Sequence, residues 1–349
     1  MKIAHVSDIH IRNHRYHEEY TAVFEELYEK LRELKPDIIV NTGDTAHTKL
    51  QLSPAYFHMT AKLFENLADI APLHVILGNH DLNLRNPGRI DAVTPIVEAL
   101  DHKDIHFHKF SQEVDLGNGF VLNVLSIVDE DKWVDPTDES KVNIAVFHGS
   151  VAGVTTDTGW VMEHGDLNID ALAPFDYALL GDIHKTNQLL DDEGRVRYPG
   201  SLVQQNFGES MDKGFLLWDI QDKDNFTCEH YPLTNPKPFV TIELTPKGKM
   251  PKNLRITDGA RLRLVSQNNL PLDVMRRAMD IAKTRFKPES VTFLNKASGQ
   301  RASVNDITDG INIEDLRDIK VQEKLIKEYL KDFEASKDTL EKVYSLNRK

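Results

Sequence analysis

The run Lys2-Ile3-Ala4-His5-Val6-Ser7-Asp8-Ile9-His10 decides the reading of this chain, because an apolar, strand-forming stretch is followed at once by two side chains that bind metals. The same pattern recurs four times. Strand patterns at Asp37–Asn41, Leu73–Leu77, Asn143–Phe147 and Tyr177–Leu180 run into Gly43-Asp44, Gly78-Asn79-His80-Asp81, His148-Gly149 and Gly181-Asp182-Ile183-His184. Short apolar runs of this kind, largely β-branched, are what buried strands require. Between the first two strands, Tyr20, Val23, Phe24, Leu27, Leu31 and Leu34 recur at helical spacing and predict a crossover helix with one apolar face. Further helices are predicted over Pro54–Ala71 and Ile90–Leu100, and antiparallel strands over Gly119–Val128 and Lys213–Ile220. The alternation predicts an α/β or sandwiched-sheet architecture.

Proteins built on open sheets gather their ligands outside the carboxyl ends of the strands, so five such motifs predict one shared crevice. Asp, His and Asn offer oxygens and imidazole nitrogens suited to Mn²⁺, Fe²⁺, Zn²⁺ or Mg²⁺. Any one motif alone is an ordinary loop or turn. Five at successive strand ends have no packing explanation and predict a dinuclear metal site. Two cations need a carboxylate they can share; Asp44 is the expected bridge, and Gly43 lets the backbone turn closely beneath it.

Composition narrows the class. The 349 residues are 40% hydrophobic, enough for a main domain and one or two smaller modules, and the longest apolar runs are far too short to span a bilayer. The strand pattern begins at once, so no signal peptide is expected. A lone cysteine, Cys228, excludes an internal disulfide and a thiolate metal cage, which fits a reducing cytoplasm. The net charge of −13 is unevenly spread: 19 Lys and Arg face 39 Asp and Glu over residues 1–235, 14 face 5 over 236–301, and 9 face 11 over 302–349. An acidic body joined to a basic module is expected where carboxylates hold cations in one place and phosphates are gripped in another.

Three segments follow. Residues 1–235 form the main domain, closed by the turn-rich Pro232-Leu233-Thr234-Asn235-Pro236-Lys237-Pro238. Residues 236–300 read as a compact α+β unit, with strands at Phe239–Leu244, Ala260–Val265 and Ser290–Leu294 and a helix over Leu272–Phe286. In it Arg255, Arg261, Arg263, Arg276, Arg277, Lys283, Arg285 and Lys287 are candidate phosphate contacts. With few aromatics there, backbone gripping explains the module better than base stacking. Residues 301–349 begin in a polar linker, Gly299–Gly310, and carry apolar stripes at Leu325, Ile326, Tyr329, Leu330 and Phe333 and at Leu340, Val343 and Tyr344. Short amphipathic helices need a surface to pack on, either the chain's own core or the groove of a partner.

The ordered motifs resemble the calcineurin-like metallophosphoesterase superfamily. Tyr198-Pro199-Gly200-Ser201, followed by Phe207-Gly208-Glu209, is similar to its SbcD-like DNA-nuclease branch. The resemblance implies a four-layer αββα sandwich with a small α+β capping domain and C-terminal helices that dock on an SbcC-type coiled-coil ATPase. It implies two Mn²⁺ per chain, with Mg²⁺ possible, on Asp8, His10, Asp44 and His184 for one cation and Asp44, Asn79, His148 and Asp182 for the other. In the commonest family pattern a histidine stands where Asp182 does; aspartate is a harder ligand, which favours Mn²⁺ or Mg²⁺. His80 is the expected proton donor to the leaving oxygen, Asp81 the expected support for its ring, and His47 a contact to the substrate phosphate. Also implied are 3′→5′ exonuclease action on duplex DNA, endonuclease action on single strands, homodimerisation, and a place in replication-fork repair, recombination or double-strand-break repair. The competing readings are a phosphomonoesterase on the same scaffold, against which the basic module counts, and a non-catalytic scaffold for the ATPase, against which the intact ligand set counts.

Overall fold

In the computed structural model, which describes residues 1–49, 52–86, 88–297 and 300–303, β1 (Lys2–Val6) is central to the first of two large sheets. Its alternating side chains serve two cores: Ala4 and Val6 face the helices, while Ile3 faces the second sheet. Helix α1 (His17–Leu34) crosses to β2 (Ile38–Asn41), α2 (Pro54–Ala68) to β3 (Leu73–Ile76) and α3 (Thr94–Leu100) to β4 (Ile105–His108). These four strands are parallel in the order β1-β2-β3-β4. The α1 face read from the sequence is the buried one: Tyr20, Val23, Phe24, Leu27 and Leu31 pack with Ala4, Val6, Ile39 and Val75.

Two helices are shorter than expected, each for a local reason. Helix α2 starts at a Ser53 cap, whose side chain accepts from the Tyr56 amide, with Pro54 in the first turn; it stops at Ala68 because Ala71 precedes Pro72 and is steered out of helical geometry. Helix α3 starts at Thr94, not Ile90, because the Asp91 carboxylate accepts from the amides of Val93 and Thr94 and so marks the end of the lead-in loop.

The second sheet holds β5 (Gln112–Gly117), β6 (Phe120–Leu125), β7 (Val142–His148), β8 (Tyr177–Gly181), β9 (Gln188–Leu189) and β10 (Val196–Tyr198), in the order β5-β6-β7-β8-β10-β9. The chain then returns to the first sheet as β11 (Gly214–Ile220), antiparallel beside β1 as expected, and β12 (Phe226–Pro232), antiparallel to β11 at the edge. The strand expected over Gly119–Val128 is β6; it is antiparallel to β5 but parallel to β7. Strands β4, β5, β9, β10 and β12 escape sequence reading because they are short or half-exposed and carry polar residues among the apolar ones.

Between the sheets, Ile3, Val40, Ile76, Leu216 and Trp218 meet Leu122, Val124, Ile144, Val146 and Leu179. Trp218 is fully buried, and Trp218→Ala would cost about 3–5 kcal/mol. The outer face of the second sheet is covered by residues 149–176, with one 3-10 turn at Ile169–Leu172, which pack Val151, Val154, Leu167 and Leu172 onto Phe147 and Leu180. This is a mixed α/β sandwich of two large sheets, and where the resemblance implies a second helical layer the fourth layer is made of loop and a single turn.

The first compact unit ends at Pro236. The second, from Lys237, contains β13 (Phe239–Glu243), β14 (Arg261–Ser266), α4 (Leu272–Phe286), β15 (Ser290–Asn295) and β16 (Gln300–Ser303), with its own core of Ile242, Leu262, Leu264, Met279, Ala282, Phe286 and Phe293. Residues 300–303, expected as linker, are the antiparallel edge strand on β15. The apolar stripes at Leu325–Phe333 and Leu340–Tyr344 lie outside the described residues. No helix among the described residues is long and apolar enough to cross a membrane.

Buried histidines make the sandwich sensitive to acid. His5 lies between the sheets with Nε2 3.1 Å from Thr42 Oγ1, and His74 Nδ1 lies 2.9 Å from His108 Nε2 at the β3-β4 pairing. Burial pushes His5 and His74 down to about 3 and His108 down to about 4, with neighbouring imidazoles adding to the shift at the last two. Each folded value lies below the unfolded value of about 6.5, so the unfolded chain takes up protons that the native state refuses. Stability is therefore full above pH 6.5 and falls as the pH drops toward 4. Denaturant midpoints measured from pH 7 to pH 4.5 should decline, and the His74→Gln/His108→Gln variant should decline less steeply; equal slopes would refute this account.

Candidate metal centre

The strand ends deliver their polar residues to one place. Asp8 and His10 follow β1, Asp44 follows β2, Asn79 and His80 follow β3, His148 ends β7, and Asp182 and His184 follow β8. Three come from one sheet and two from the other, so the crevice spans the carboxyl ends of both. The loops are held in uncommon backbone conformations: Asp8 (φ 51°), His10 (φ 49°), Asp44 (φ 53°) and Asp182 (φ 98°) all lie in the left-handed region. Such strain persists only where the surroundings over-determine it, and it collects at functional sites. Ladder-like hydrogen bonds do this here, the Asp8 and His10 amides donating to the Gly43 and Asp44 carbonyls at 3.1 and 2.9 Å.

One half of the crevice joins Asp8, His10, His184 and Asp44. His10 Nε2 lies 3.0 Å from His184 Nε2, 3.5 Å from Asp44 Oδ2 and 3.8 Å from Asp8 Oδ1; His184 Nε2 is also 3.8 Å from Asp8 Oδ1. Two imidazole nitrogens bound to one ion at about 2.0–2.1 Å stand about 3 Å apart when at right angles, so the His10–His184 spacing is that of neighbouring ligands. Asp8 Oδ2 is satisfied by the Ser7 hydroxyl and the Asp182 amide, whereas Oδ1 is buried with no hydrogen-bond partner and faces the two rings. Burial pushes the Asp8 carboxyl up to about 6, against the pull of His184 and His148. An orphaned carboxylate oxygen between two imidazoles fits a cation and little else.

The other half joins Asp44, His148, Asp182 and Asn79. His148 Nε2, buried and with no hydrogen-bond partner, lies 3.4 Å from Asp44 Oδ1 and 3.8 Å from Asp182 Oδ1, and Asn79 Nδ2 donates to Asp182 Oδ1 at 2.8 Å. The Asp44 oxygens thus face different histidines, Oδ2 toward His10 and Oδ1 toward His148, as a bridging carboxylate requires. Burial opposes ionisation of Asp44, but the charges of His148 and His10 hold its carboxyl well below the usual range. Glycine is needed here by close approach: a Cβ on Gly43 would stand 2.7 Å from the Gly78 amide and from His148 Nδ1, and one on Gly78 would strike the Asp44 carboxylate.

Partners behind the rings orient them. His148 Nδ1 lies 2.7 Å from the Thr42 carbonyl, which can only accept, so Nδ1 carries a proton; Nε2, protonated while the ring is charged beside Asp44, is the nitrogen on which a cation would replace a proton. His184 Nδ1 donates likewise to Glu209 Oε1 at 2.9 Å. Glu209 is gripped by the Gln205 amide (2.8 Å), Ser201 Oγ (3.2 Å) and Asn206 Nδ2 (2.9 Å), and Lys213, itself 2% exposed, stands 3.8 Å away. In the sequence Glu209 stands only as the end of Phe207-Gly208-Glu209 and carries no evident role, and neither Thr42 nor Lys213 stands out. The signal for Glu209 is weak, because the segment that carries it ends no strand.

One expected contact is corrected. Asp81 does not hold the His80 ring: its oxygens accept from the amides of Thr45 (3.3 Å), Ala46 (2.8 Å) and Gly78 (3.0 Å), which ties the Asp44 loop to the Asn79 loop. Burial and the nearby charge of Asp44 push Asp81 up to about 7. The ring is oriented instead by a backbone group, His80 Nδ1 donating to the His47 carbonyl at 2.8 Å. A ring nitrogen of His80 lies within 4.8 Å of ligand atoms on His10 and Asp44. The His47 ring is exposed, its centroid 5.7 Å from that of His10 and 6.3 Å from that of His80.

A second correction concerns the basic unit. Arg261 is 1% exposed, pairs with Glu289 at 2.7 Å, donates to the Lys237 carbonyl and lies over the Phe239 ring; it is part of the fold and out of reach of a phosphate. Arg263 is half-buried and donates to Thr241 Oγ1. Arg255, Arg276, Arg277, Lys283, Arg285 and Lys287 are exposed, four of them on α4, whose other side buries Ala278, Met279, Ala282 and Phe286.

Buried carboxylates and imidazoles at the joined ends of two sheets define a metal-dependent hydrolase. The chain belongs to the calcineurin-like phosphoesterase family, whose pattern matches residues 1–233. It is 34% identical over 273 residues to the uncharacterized protein R555 of Acanthamoeba polyphaga mimivirus, a stretch covering 73% of this chain and 20% of that protein. It is 25% identical over 249 residues to the DNA double-strand break repair protein Mre11 of Methanopyrus kandleri, covering 62% of this chain and 53% of that one. The chain thus spans about a fifth and about half of these relatives. Among solved structures, the Pseudomonas putida nuclease MPE overlaps 41% of this chain and 60% of its own at 20% identity and a TM-score of 0.24. Vps29 of Entamoeba histolytica overlaps 66% and 99% at 15% identity and a TM-score of 0.31.

Glu209→Gln keeps the size of the side chain but removes the charge that supports His184. Outer-shell changes of this type cost 10–100-fold in metal affinity. Calorimetric titration of the metal-free protein with Mn²⁺ should show a loss of that order, with the thermal midpoint of the metal-free form little changed. Undiminished affinity would remove Glu209 from the site.

Proposed function

We propose that this chain is a DNA nuclease that hydrolyses phosphodiester bonds at a dinuclear centre, with Asp8, His10, Asp44 and His184 holding one divalent cation and Asp44, Asn79, His148 and Asp182 the other. The observation that carries the reading is the pair of orphaned, buried ligand atoms, Asp8 Oδ1 and His148 Nε2, on either side of a carboxylate whose oxygens face opposite ways. With four carboxylates or amides in the donor set, and Asp182 where imidazole is commoner, Mn²⁺ is the proposed metal and Mg²⁺ its substitute. Such cations supply Lewis-acid charge that polarises a phosphodiester and acidifies the attacking water.

His80 supplies the proton for the departing oxygen. The His47 carbonyl accepts from Nδ1, so the ring acts as an acid in its doubly protonated form, with Nε2–H left for the leaving group. Asp81 fixes the two loops whose residues flank that position. Support for DNA as substrate comes from the exposed cations of α4, the acidic-to-basic division of the chain and the repair role in the archaeal relative's name. On this reading the enzyme acts in double-strand-break repair, replication and recombination as a homodimer in the cytoplasm, with a coiled-coil ATPase of the SbcC type docking on residues 301–349.

Two variants test the parts separately. His80→Asn should lose 10²–10⁴-fold of Mn²⁺-dependent cleavage of an oligodeoxynucleotide while binding Mn²⁺ like the wild type; wild-type turnover would strip His80 of its role. Arg276→Ala/Arg277→Ala should weaken DNA binding and flatten the dependence of log Kd on log salt by up to about two units of slope. If affinity and slope are both preserved, the α4 face does not grip the backbone.

A further inference from the structure

A cavity of about 390 Å³ opens beside His47, and nothing in the proposed cleavage chemistry uses it. Its walls come from the loop after β1, the loop after β2 and the start of α2: Arg12, Tyr16, His47, Thr48, Ser53 and Tyr56. Their chemistry is mixed in a particular way. The Arg12 guanidinium lies 3.8 Å from the centroid of the Tyr16 ring, with the Arg15 guanidinium 5.3 Å from the same centroid, and Arg12 is anchored by the Gln205 and Gln204 carbonyls, 2.8 Å from Nη1 and 3.4 Å from Nη2. A planar cation and a phenol ring are thereby held together at the rim. Tyr56 is buried behind them, and the Thr48 side chain is exposed at the mouth. The rim leads directly to the centre, because the His47 ring sits 5.7 Å from His10.

We infer that this cavity is a nucleotide subsite, receiving the nucleoside next to the scissile phosphate, with its base against Tyr16 and its phosphate side toward Arg12 and His47. The inference rests on the nuclease reading and gives that site its substrate contact. Three features support a nucleotide over a bare phosphate or an aliphatic ligand. The volume is that of a small-molecule pocket. An aromatic ring backed by a guanidinium offers a stacking surface of the kind single-stranded nucleic-acid proteins use, tolerant of base identity because every base has a π-face. The hydroxyl at the mouth and the guanidinium supply polar contacts for sugar and phosphate. The subsite therefore selects nucleotides over other phosphodiesters.

The test uses the full chain with Mn²⁺ and compares thymidine 5′-(p-nitrophenyl phosphate) with bis(p-nitrophenyl) phosphate, which share a leaving group and differ in the nucleoside. Tyr16→Leu removes the stacking ring and Thr48→Trp fills the mouth from an exposed position, so a folding defect in one leaves the other informative. Each should lower the ratio of the two kcat/KM values about tenfold, through KM for the nucleotide substrate, and weaken binding of thymidine monophosphate measured by equilibrium dialysis. A ratio and a nucleotide affinity that match the wild type in both variants would overturn the subsite. The nuclease reading fails differently: wild-type protein that turns over bis(p-nitrophenyl) phosphate but leaves oligodeoxynucleotides intact would sink it, while weakened nucleotide binding by the variants would still uphold the pocket.

Discussion

Negative charge that cannot disperse is the constraint on which this structure turns. Asp8, Asp44 and Asp81 are all buried in the same crevice, and the charge of Asp44 helps to raise the affinity of the other two for protons. Each carboxylate is resolved in its own way. Asp81 is neutralised in part by three backbone amides, Asp44 by the flanking imidazoles, and Asp8 has one oxygen satisfied and one left bare. A cation removes the remaining cost, since an isolated buried charge is otherwise expensive. Metal binding and stability of the crevice are therefore coupled.

The scaffold is arranged to bear that strain. Two sheets stacked on a shared core of Ile3, Val40, Leu122, Ile144, Leu179 and Trp218 bring five strand ends to one rim, which no single strand or helix could do. Left-handed turns at Asp8, His10, Asp44 and Asp182 then aim the side chains inward. Hydrogen bonds from the loops of neighbouring strands hold those turns, and glycines at Gly43 and Gly78 leave room for the ligands to approach. Behind the rings, Thr42 and Glu209 set the tautomers. The rigid sandwich thus supplies position, and the outer hydrogen bonds supply orientation.

Division of labour along the chain follows the charge. The acidic first unit holds the centre, and exposed arginines and lysines decorate one helix of the second. Not every arginine there is for binding. Arg261, itself buried, pairs with Glu289, and its guanidinium is as much a core group as the leucines beside it in β14. A positive count along a segment measures potential binding charge only after such residues have been set aside.

The sequence alone determined the strand-then-ligand grammar, the strands β1, β2 and β3 with the crossover helix between the first two, and the residue types expected at the centre. It could do so because buried strands demand apolar runs, and polar metal-binding types directly after them have no packing reason to recur. Folding in three dimensions decided the rest. Whether Asp81 or the His47 carbonyl orients His80 depends on loop geometry that residue spacing does not encode. Whether Arg261 faces water or is buried against Glu289 and the Phe239 ring depends on which side of β14 is covered by the segments beside it. The support of His184 by Glu209 joins residues 25 apart across a loop with no strand to mark it. Local pattern reports what each residue prefers, while hydrogen-bond partners are chosen only when distant segments compete for the same buried space.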